Sequence, residues 1–485
     1  MCKKIVIAAI VSICLVFTGC STGQPKEEEK QINVKDTGRQ EKNNTKADNT
    51  TKEKDKTNVK GELQLLSSQR MHFMSEAGYY YITEEEKELK DGTSGRHIMY
   101  MDFAAKQEVY LCAEPGCKHN NKNCTAVLAS EEFGDAPLIF VCNDTLYVVS
   151  REYDKEGQTR TGAIVIEEDG YSYVEDLEIP VALYSMGLDG TNRTKEYTFE
   201  QGIMLDEDVL YDGKDIYFVT KKINSSSDKS SNQKTTYYTA SEYELVKYQT
   251  ENAKLAKVCS LEFEDNIRWH IEGCHNNNVI LYGTKYNKNL TPEEQDKLEK
   301  EELWEWSRDS KEVYACLDPV QGSIKEIYSI ENDPNLDHSV VMSGDYLYIS
   351  DEKTGKIEKL DIETGKIQKF VTLNMRFFGT LSDKLYGVPW EQQSDDHTIY
   401  FVDINSEKID HCTLVNHKTG GELGIIGETG NQVLAIYDWD AEKDKEIKDE
   451  DVYDVKRKQY GLIDKKDLYQ SKDRFEKIEM KGAGE

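Results

Sequence analysis

The chain reads as all-β, and three observations predict it. Seven short runs rich in tyrosine and β-branched residues recur along it, and tyrosine is unusually common at 29 residues. Each run is followed by a second run of the same kind, and Gly, Asp and Asn mark the turns between them. Together with a preceding apolar pair and a third following run, this makes a four-strand unit repeated seven times. A four-stranded antiparallel unit repeated in series is a propeller blade. The expected fold is therefore a β-propeller of seven four-stranded blades. Six or eight blades stay open at this point, because terminal blades can be split across both chain ends.

The tyrosine runs, in order, are Gly78–Ile82, Thr145–Val149, Asp215–Val219, Val279–Tyr282, Asp345–Ile349, Lys384–Gly387 and Gln432–Tyr437. Their partners are His97–Phe103, Val181–Leu188, Tyr243–Tyr248, Val313–Leu317, Lys356–Leu360, Thr398–Val402 and Tyr460–Ile463. With strands lettered A to D from the axis outward, the tyrosine runs are B and their partners C. The segment Leu183–Asn192 resembles blades of TolB-like propellers, which favour a turn of the form Y-x-x-x-x-D-G-x, here Tyr184 to Thr191. That resemblance implies the architecture and nothing finer.

Spacing identifies insertions. The runs stand roughly 65 to 70 residues apart at first and then about 40 to 50, against about 40 for a bare blade. Segments 84–96, 152–180, 221–242, 284–311 and 438–458 all fall between B and C. In an antiparallel blade, B–C loops and D-to-A links leave on one face, so five long loops are expected to share it. Loops on a rigid scaffold commonly carry function. Ala163–Glu175, around Asp169-Gly170, reads as a hairpin. Thr291-Pro292-Glu293-Glu294 reads as a capped helix start, with a helix to about Trp306 docked by Leu298, Leu303 and Trp306. The polar stretch at 224–234 reads as a loop tip.

The chain begins with Lys3 and Lys4, then an apolar run from Ile5 to Phe17 broken only by Ser12, then Thr18-Gly19-Cys20. That is the layout of a secretory signal, too short for a spanning helix. Its ending resembles the lipobox of bacterial lipoproteins, although Phe17 stands where that family usually has Leu. The resemblance implies cleavage after residue 19, a lipid on Cys20, and residence on the extracytoplasmic face of the cell membrane. From Ser21 to Lys60 there is no aromatic residue, and Ile32, Val34 and Val59 are the only branched aliphatic ones. Such a stretch buries too little apolar surface to order itself and reads as a tether. The expected organisation is a signal peptide over 1–19, a lipidated tether over 20–60 and a propeller over 61–485.

Net charge excludes one class of partner. Signal and tether each carry +2 against −30 for the whole chain, so residues 61–485 carry −34. Nucleic acid, bound chiefly by Lys and Arg on phosphates, is not expected. A solubility adaptation accounts for the charge, with a cationic partner or divalent cations as the alternative.

Four of the five tryptophans, Trp304, Trp306, Trp390 and Trp439, lie in B–C segments, as do Tyr171, Tyr173, Tyr237 and Tyr238. They can form an aromatic platform for a glycan or peptide, or they can pin their own loops to the scaffold. The densest chemical cluster is Cys112-x4-Cys117-x-His119-x4-Cys124, in the stretch joining blades 1 and 2 and expected on the same face, with Cys142 as a further candidate. Three thiols and an imidazole suffice for tetrahedral zinc. The single residue between Cys117 and His119 is tight for ligation by both, and one or two disulfides or plain thiols remain open. The stretch Tyr110–Ala126 also resembles one found in propeller lipoproteins of clostridia-type bacteria. The acidic group Asp438, Asp440, Glu442 and Asp444 lacks the glycine of a calcium loop and reads as a solvated loop.

No G-x-S-x-G elbow, H-E-x-x-H or P-loop is present in the sequence. The residues therefore favour a surface binding or interaction module for an extracellular glycan, cell-wall fragment or protein. The alternative is a propeller enzyme, a hydrolase or lyase on extracellular polysaccharide. That alternative requires carboxylates or histidines converging at the axis. A third class, a subunit of an envelope assembly, requires a large exposed apolar patch.

Overall fold

The computed structural model describes residues 61–67, 69–134, 136–150, 180–228, 235–261, 267–286, 310–332, 337–390, 397–443 and 453–481; for 223–228, 235–241, 268, 286, 441–443 and 453–456 it describes the backbone alone. Seven antiparallel sheets follow one another along the chain. Blade 1 has strands A to D at His72–Met74, Gly78–Ile82, Ser94–Asp102 and Gln107–Tyr110. Blade 2 is Leu138–Cys142, Thr145–Val149, Ala182–Gly187 and Thr194–Thr198. Blade 3 is Ile203–Tyr211, Ile216–Asp228, Thr235–Gln249 and Lys254–Ser260, and blade 4 is Arg268–His275, Asn278–Tyr286, Ser310–Asp318 and Ser323–Glu331. Blade 5 is His338–Ser343, Tyr346–Asp351, Lys356–Asp361 and Ile367–Thr372. Blade 6 is Met375–Leu381, Lys384–Pro389, Ile399–Asp403 and Ile409–Cys412, and blade 7 is Gly424–Thr429, Gln432–Lys443, Tyr453–Asp464 and Glu476–Lys477. The protein is a seven-bladed β-propeller with no blade split between the termini, and every tyrosine run is a strand B.

The reason those runs are apolar on both faces lies in the packing. Each blade is sandwiched between two others, so successive side chains of strand B enter different inter-blade cores. Tyr80 and Ile82 pack toward blade 2, while Tyr79 and Tyr81 pack toward blade 7. Ile216 and Phe218 face blade 2, and Tyr217 and Val219 face blade 4. Such a core fills each of the seven seams, including the one that closes the ring between blades 7 and 1. Burying one such side chain contributes roughly 1.5–3 kcal/mol.

Turn chemistry is equally local. Asn143-Asp144 and Asn276-Asn277 adopt positive φ at both positions, making two-residue hairpins from A to B. At the C–D turns, an aspartate at or just past the end of strand C accepts main-chain N–H bonds two or three residues on. Asp102 does so from Ala104 and Ala105, Asp189 from Thr191, Asp318 from Val320 and Gln321, Asp361 from Thr364, and Asp403 from Asn405 and Ser406.

Two features depart from a plain ring. The first strand of the described chain, Gln64–Ser67, pairs with strand A of blade 3 (Leu65 opposite Leu210) rather than with blade 1, adding a fifth strand on the axial side. Arg70 then crosses to donate to the carbonyl of Leu205 at 2.8 Å and to pair with Glu207 at 3.3 Å. In blades 3 and 7, strands B and C run on past the blade as long ribbons. Residues 224–228, expected in a loop tip, belong to the first of them, and Asp438, Asp440 and Glu442 belong to a strand of the second. The expected hairpin at 163–175 and helix at 292–306 lie outside the described residues.

Candidate metal centre

The cysteine-rich stretch does not join two blades, as spacing suggested; it interrupts strand D of blade 1. Gln107–Tyr110 pairs with the second half of strand C, and Val127–Ala129 resumes the pairing on the first half. Leu111 donates to the carbonyl of Ile98, and Ile98 donates to that of Ala126, so the two ends of the excursion meet at one residue. The loop therefore stands on the outer edge of blade 1. Lys90 of the B–C segment donates to Asn120, and Arg193 of blade 2 donates to the carbonyls of Thr125 and Val127 at 3.2 and 2.7 Å.

Within the loop, Cys112, Cys117, His119 and Cys124 bring one ligand atom each to within 4.8 Å of one another. A zinc tetrahedron with Zn–S of about 2.3 Å and Zn–N of about 2.0 Å has edges of about 3.4–3.8 Å, so closing on an ion needs movements of about 1 Å or less. Local chemistry explains the convergence. Glu114-Pro115-Gly116-Cys117 is a tight turn, with Cys117 donating to Glu114 and Gly116 at φ 73°. His119 adopts φ 50°, and this left-handed step overcomes the one-residue spacing. Its ring lies 3.4 Å from the Cys124 sulfur through Nδ1, and its main-chain N–H donates to the Cys117 sulfur at 3.4 Å.

Surrounding groups fix the histidine. Tyr110 stacks on its ring at 4.4 Å between centroids, and the buried His97 holds its carbonyl oxygen at 2.6 Å. Cys124 is buried against Leu89, Ala126 and Val127. Burial, then the neighbouring thiol of Cys112, pushes its pKa up to about 12. A cation among the sulfurs would supply the charge that lets them ionise. This Cys/His group can hold a metal ion, with all four corners furnished by protein.

Cys142 takes no part. It sits in the core between blades 2 and 3, where burial pushes its thiol up to about 12. All eight cysteines from Cys112 onward are free, so the disulfide alternative is not realised here.

The aromatic candidates do not assemble into a described platform. Trp390 is half-buried and donates through Nε1 to the Ser350 hydroxyl of blade 5 at 3.2 Å, which pins its own loop. Trp439 is half-buried in the blade 7 ribbon opposite Lys458. Tyr237 and Tyr238 have their backbone in the blade 3 ribbon, and their side chains lie outside the described set. Tyr171, Tyr173, Trp304, Trp306 and Cys20 are likewise outside it.

Sequence reading missed the axis. Neighbouring A strands touch between blades 1 and 2, 4 and 5, and 5 and 6, and four A strands bulge, at Asp206–Asp208, Glu272, Phe378 and Ile426. A bulge re-aims the side chain at its position. Asp208 of blade 3 accepts from Ile271 of blade 4 at 3.3 Å, and Glu272 of blade 4 accepts from Met342 of blade 5 at 3.2 Å. Burial foremost raises both carboxyls to about 7, with Asp206 and Glu207 adding to the effect on Asp208, and Asp208 to that on Glu272. The signal was available as Glu272-Gly273 and the run Asp206-Glu207-Asp208, acidic residues inside otherwise apolar A strands.

Among solved structures, the chain is similar to a puromycin-hydrolysing peptidase from Mycobacterium tuberculosis (9% identity, TM-score 0.44), over 87% of this chain and 54% of that one. It is similar to an acylaminoacyl peptidase from Pyrococcus horikoshii (12%, TM-score 0.38; 69% and 46%) and to an oligogalacturonate lyase from Vibrio parahaemolyticus (11%, TM-score 0.38; 78% and 94%). The chain spans about half the length of the two peptidases. No family model and no curated protein matches it. The class defined by fold and site is thus a seven-bladed β-propeller bearing a Cys3His group on its first blade.

Proposed function

We propose that this protein is a lipid-anchored propeller that holds a binding face outside the cell, with Cys20 as the anchor and residues 21–60 as the tether. The ligand is an extracellular glycan, a cell-wall fragment or a protein. One observation carries this reading: the long insertions of blades 1, 2, 3, 4 and 7 all depart from the B and C strand ends, and these lie on one face of an antiparallel ring. Zinc bound by Cys112, Cys117, His119 and Cys124 is a structural part of the same molecule, since a site closed by four protein ligands leaves no position for substrate. The test is a binding screen of the full-length protein in detergent against glycans and cell-wall fragments. The expected result is a saturable ligand whose affinity falls about tenfold or more in Trp304→Ala or Trp439→Ala. Binding unchanged in both variants, or none to any fragment, would count against it.

The enzyme reading is favoured by the axial carboxylates Asp208 and Glu272, both held near neutrality in a buried setting, as acid–base groups often are. It predicts release of reducing ends or unsaturated products from an extracellular polysaccharide. Asp208→Asn and Glu272→Gln would each abolish that release.

A further inference from the structure

We infer that the metal group of blade 1 controls closure of the ring, by holding the strand onto which the C-terminal segment docks. The inference rests on the zinc reading above. Strand D of blade 1 has only four residues before the metal loop, Gln107–Tyr110, and it is an outer edge strand. Its free edge is covered by the segment after blade 7. Glu108 donates to the carbonyl of Glu479, Glu479 donates to that of Lys106, and Lys481 donates to the Glu108 carboxylate at 2.8 Å. The last strand of blade 7 is itself only two residues long, so at the outer edge of the seam this segment is what joins the two ends of the ring, outside the core formed by their B and C strands.

Tyr110 links the two features. On one side its ring stacks on His119 of the metal group and packs beside Cys112, Cys117 and Cys124. On the other it packs into the blade 7–blade 1 core with Ile478 and Met480. With a metal bound, His119 is immobilised and Tyr110 has a fixed face to lie on. Without it, the excursion keeps its turn hydrogen bonds, its packing and the contacts of Lys90, His97 and Arg193, but it loses the tie between the four ligands, and strand D frays more readily from its loop end toward Glu108. Local opening of this kind costs less than global unfolding and is seen in amide exchange.

The experiment compares full-length protein in detergent, loaded with zinc, with the same protein after chelation. Metal content is read by elemental mass spectrometry, and amide exchange is read across the chain. The expected result is about one zinc per chain and, on its removal, exchange at least about tenfold faster at Glu108, Ile478, Glu479 and Lys481, with Asn278–Tyr286 of blade 4 unchanged. One zinc per chain with unaltered exchange at those four amides would overturn the coupling and leave the zinc reading intact. No bound zinc would overturn both. Tyr110→Leu separates the roles: it should retain zinc yet show fast exchange at 478–481 in either state. Slow exchange there in the zinc-loaded variant would also overturn the coupling.

Discussion

Glu108 is fully buried, and its two oxygens serve groups from three parts of the chain: the Tyr81 hydroxyl, the Lys481 main-chain N–H and, at 3.6 Å, the Arg457 guanidinium. Removing one partner of a buried charged network costs far more than a surface pair. Glu108→Ala should therefore lower stability by about 3 kcal/mol. Glu108→Gln, which keeps an acceptor, should lose nearer 1 kcal/mol. Chemical denaturation of both variants checks the order. Gly190 is a second such position. It turns the blade 2 C–D hairpin at φ 80°, and a Cβ there would meet the Leu111 carbonyl oxygen at 2.2 Å. Gly190→Ala should cost about 1–2 kcal/mol, and because Leu111 begins the metal loop, it should also weaken zinc retention against a chelator. A variant as stable as the parent would show that the two blades can move apart there.

At the scale of the element, the bulged A strands and the C–D turns respond to pH in opposite directions. Asp208 and Glu272 are raised to about 7 in the fold. They hold protons there that the unfolded chain releases near pH 4, so stability falls as pH rises from about 4 to 7. Asp189 and Asp361 are lowered, Asp189 chiefly by the Thr191 hydroxyl and Asp361 chiefly by the Thr364 main-chain N–H. Their contribution is present above about pH 4 and is lost as pH falls below it. Thermal unfolding should thus occur at higher temperature at pH 5.5 than at pH 8. The double variant Asp208→Asn, Glu272→Gln should narrow that gap; an unchanged gap would place its origin elsewhere. The metal loop is an element in its own right. Cys117→Ser should lower zinc content well below one per chain, whereas Cys142→Ser, altering a core thiol between blades 2 and 3, should leave it unchanged.

Across the whole molecule, the seven seams are similar cores, but the seventh also takes in Ile478 and Met480 from the far end of the chain. Deleting residues 478–485 takes Ile478 out of that core and the covering segment off strand D of blade 1. The unfolding temperature should fall, and amides of Tyr79–Ile82 should exchange faster than those of Val279–Leu281. Equal exchange in the two blades would mean that the seam holds without the segment.

The B and C strands and their turns were legible from local pattern, whereas the choice of seven blades over six or eight needed the ring, in which no blade is split. Tyr79 to Ile82 is apolar throughout because both of its faces are buried, and Asp189-Gly190 marks a turn because its side chain caps its own backbone. Cys117 and His119 were legible as candidate ligands, but their convergence depends on a left-handed step at His119 that no spacing rule displays. By itself, then, the sequence determined a β-propeller, expected to have seven blades with six or eight open, and a Cys/His group near its first blade, since period-2 burial and turn chemistry act within a few residues. Tertiary structure alone decided that this group interrupts an edge strand, that Asp208 receives Ile271 across 63 residues and that Glu108 receives Lys481 across 373 residues. Those contacts exist only once the ring has closed, because closure is what brings distant chain segments to the same seam.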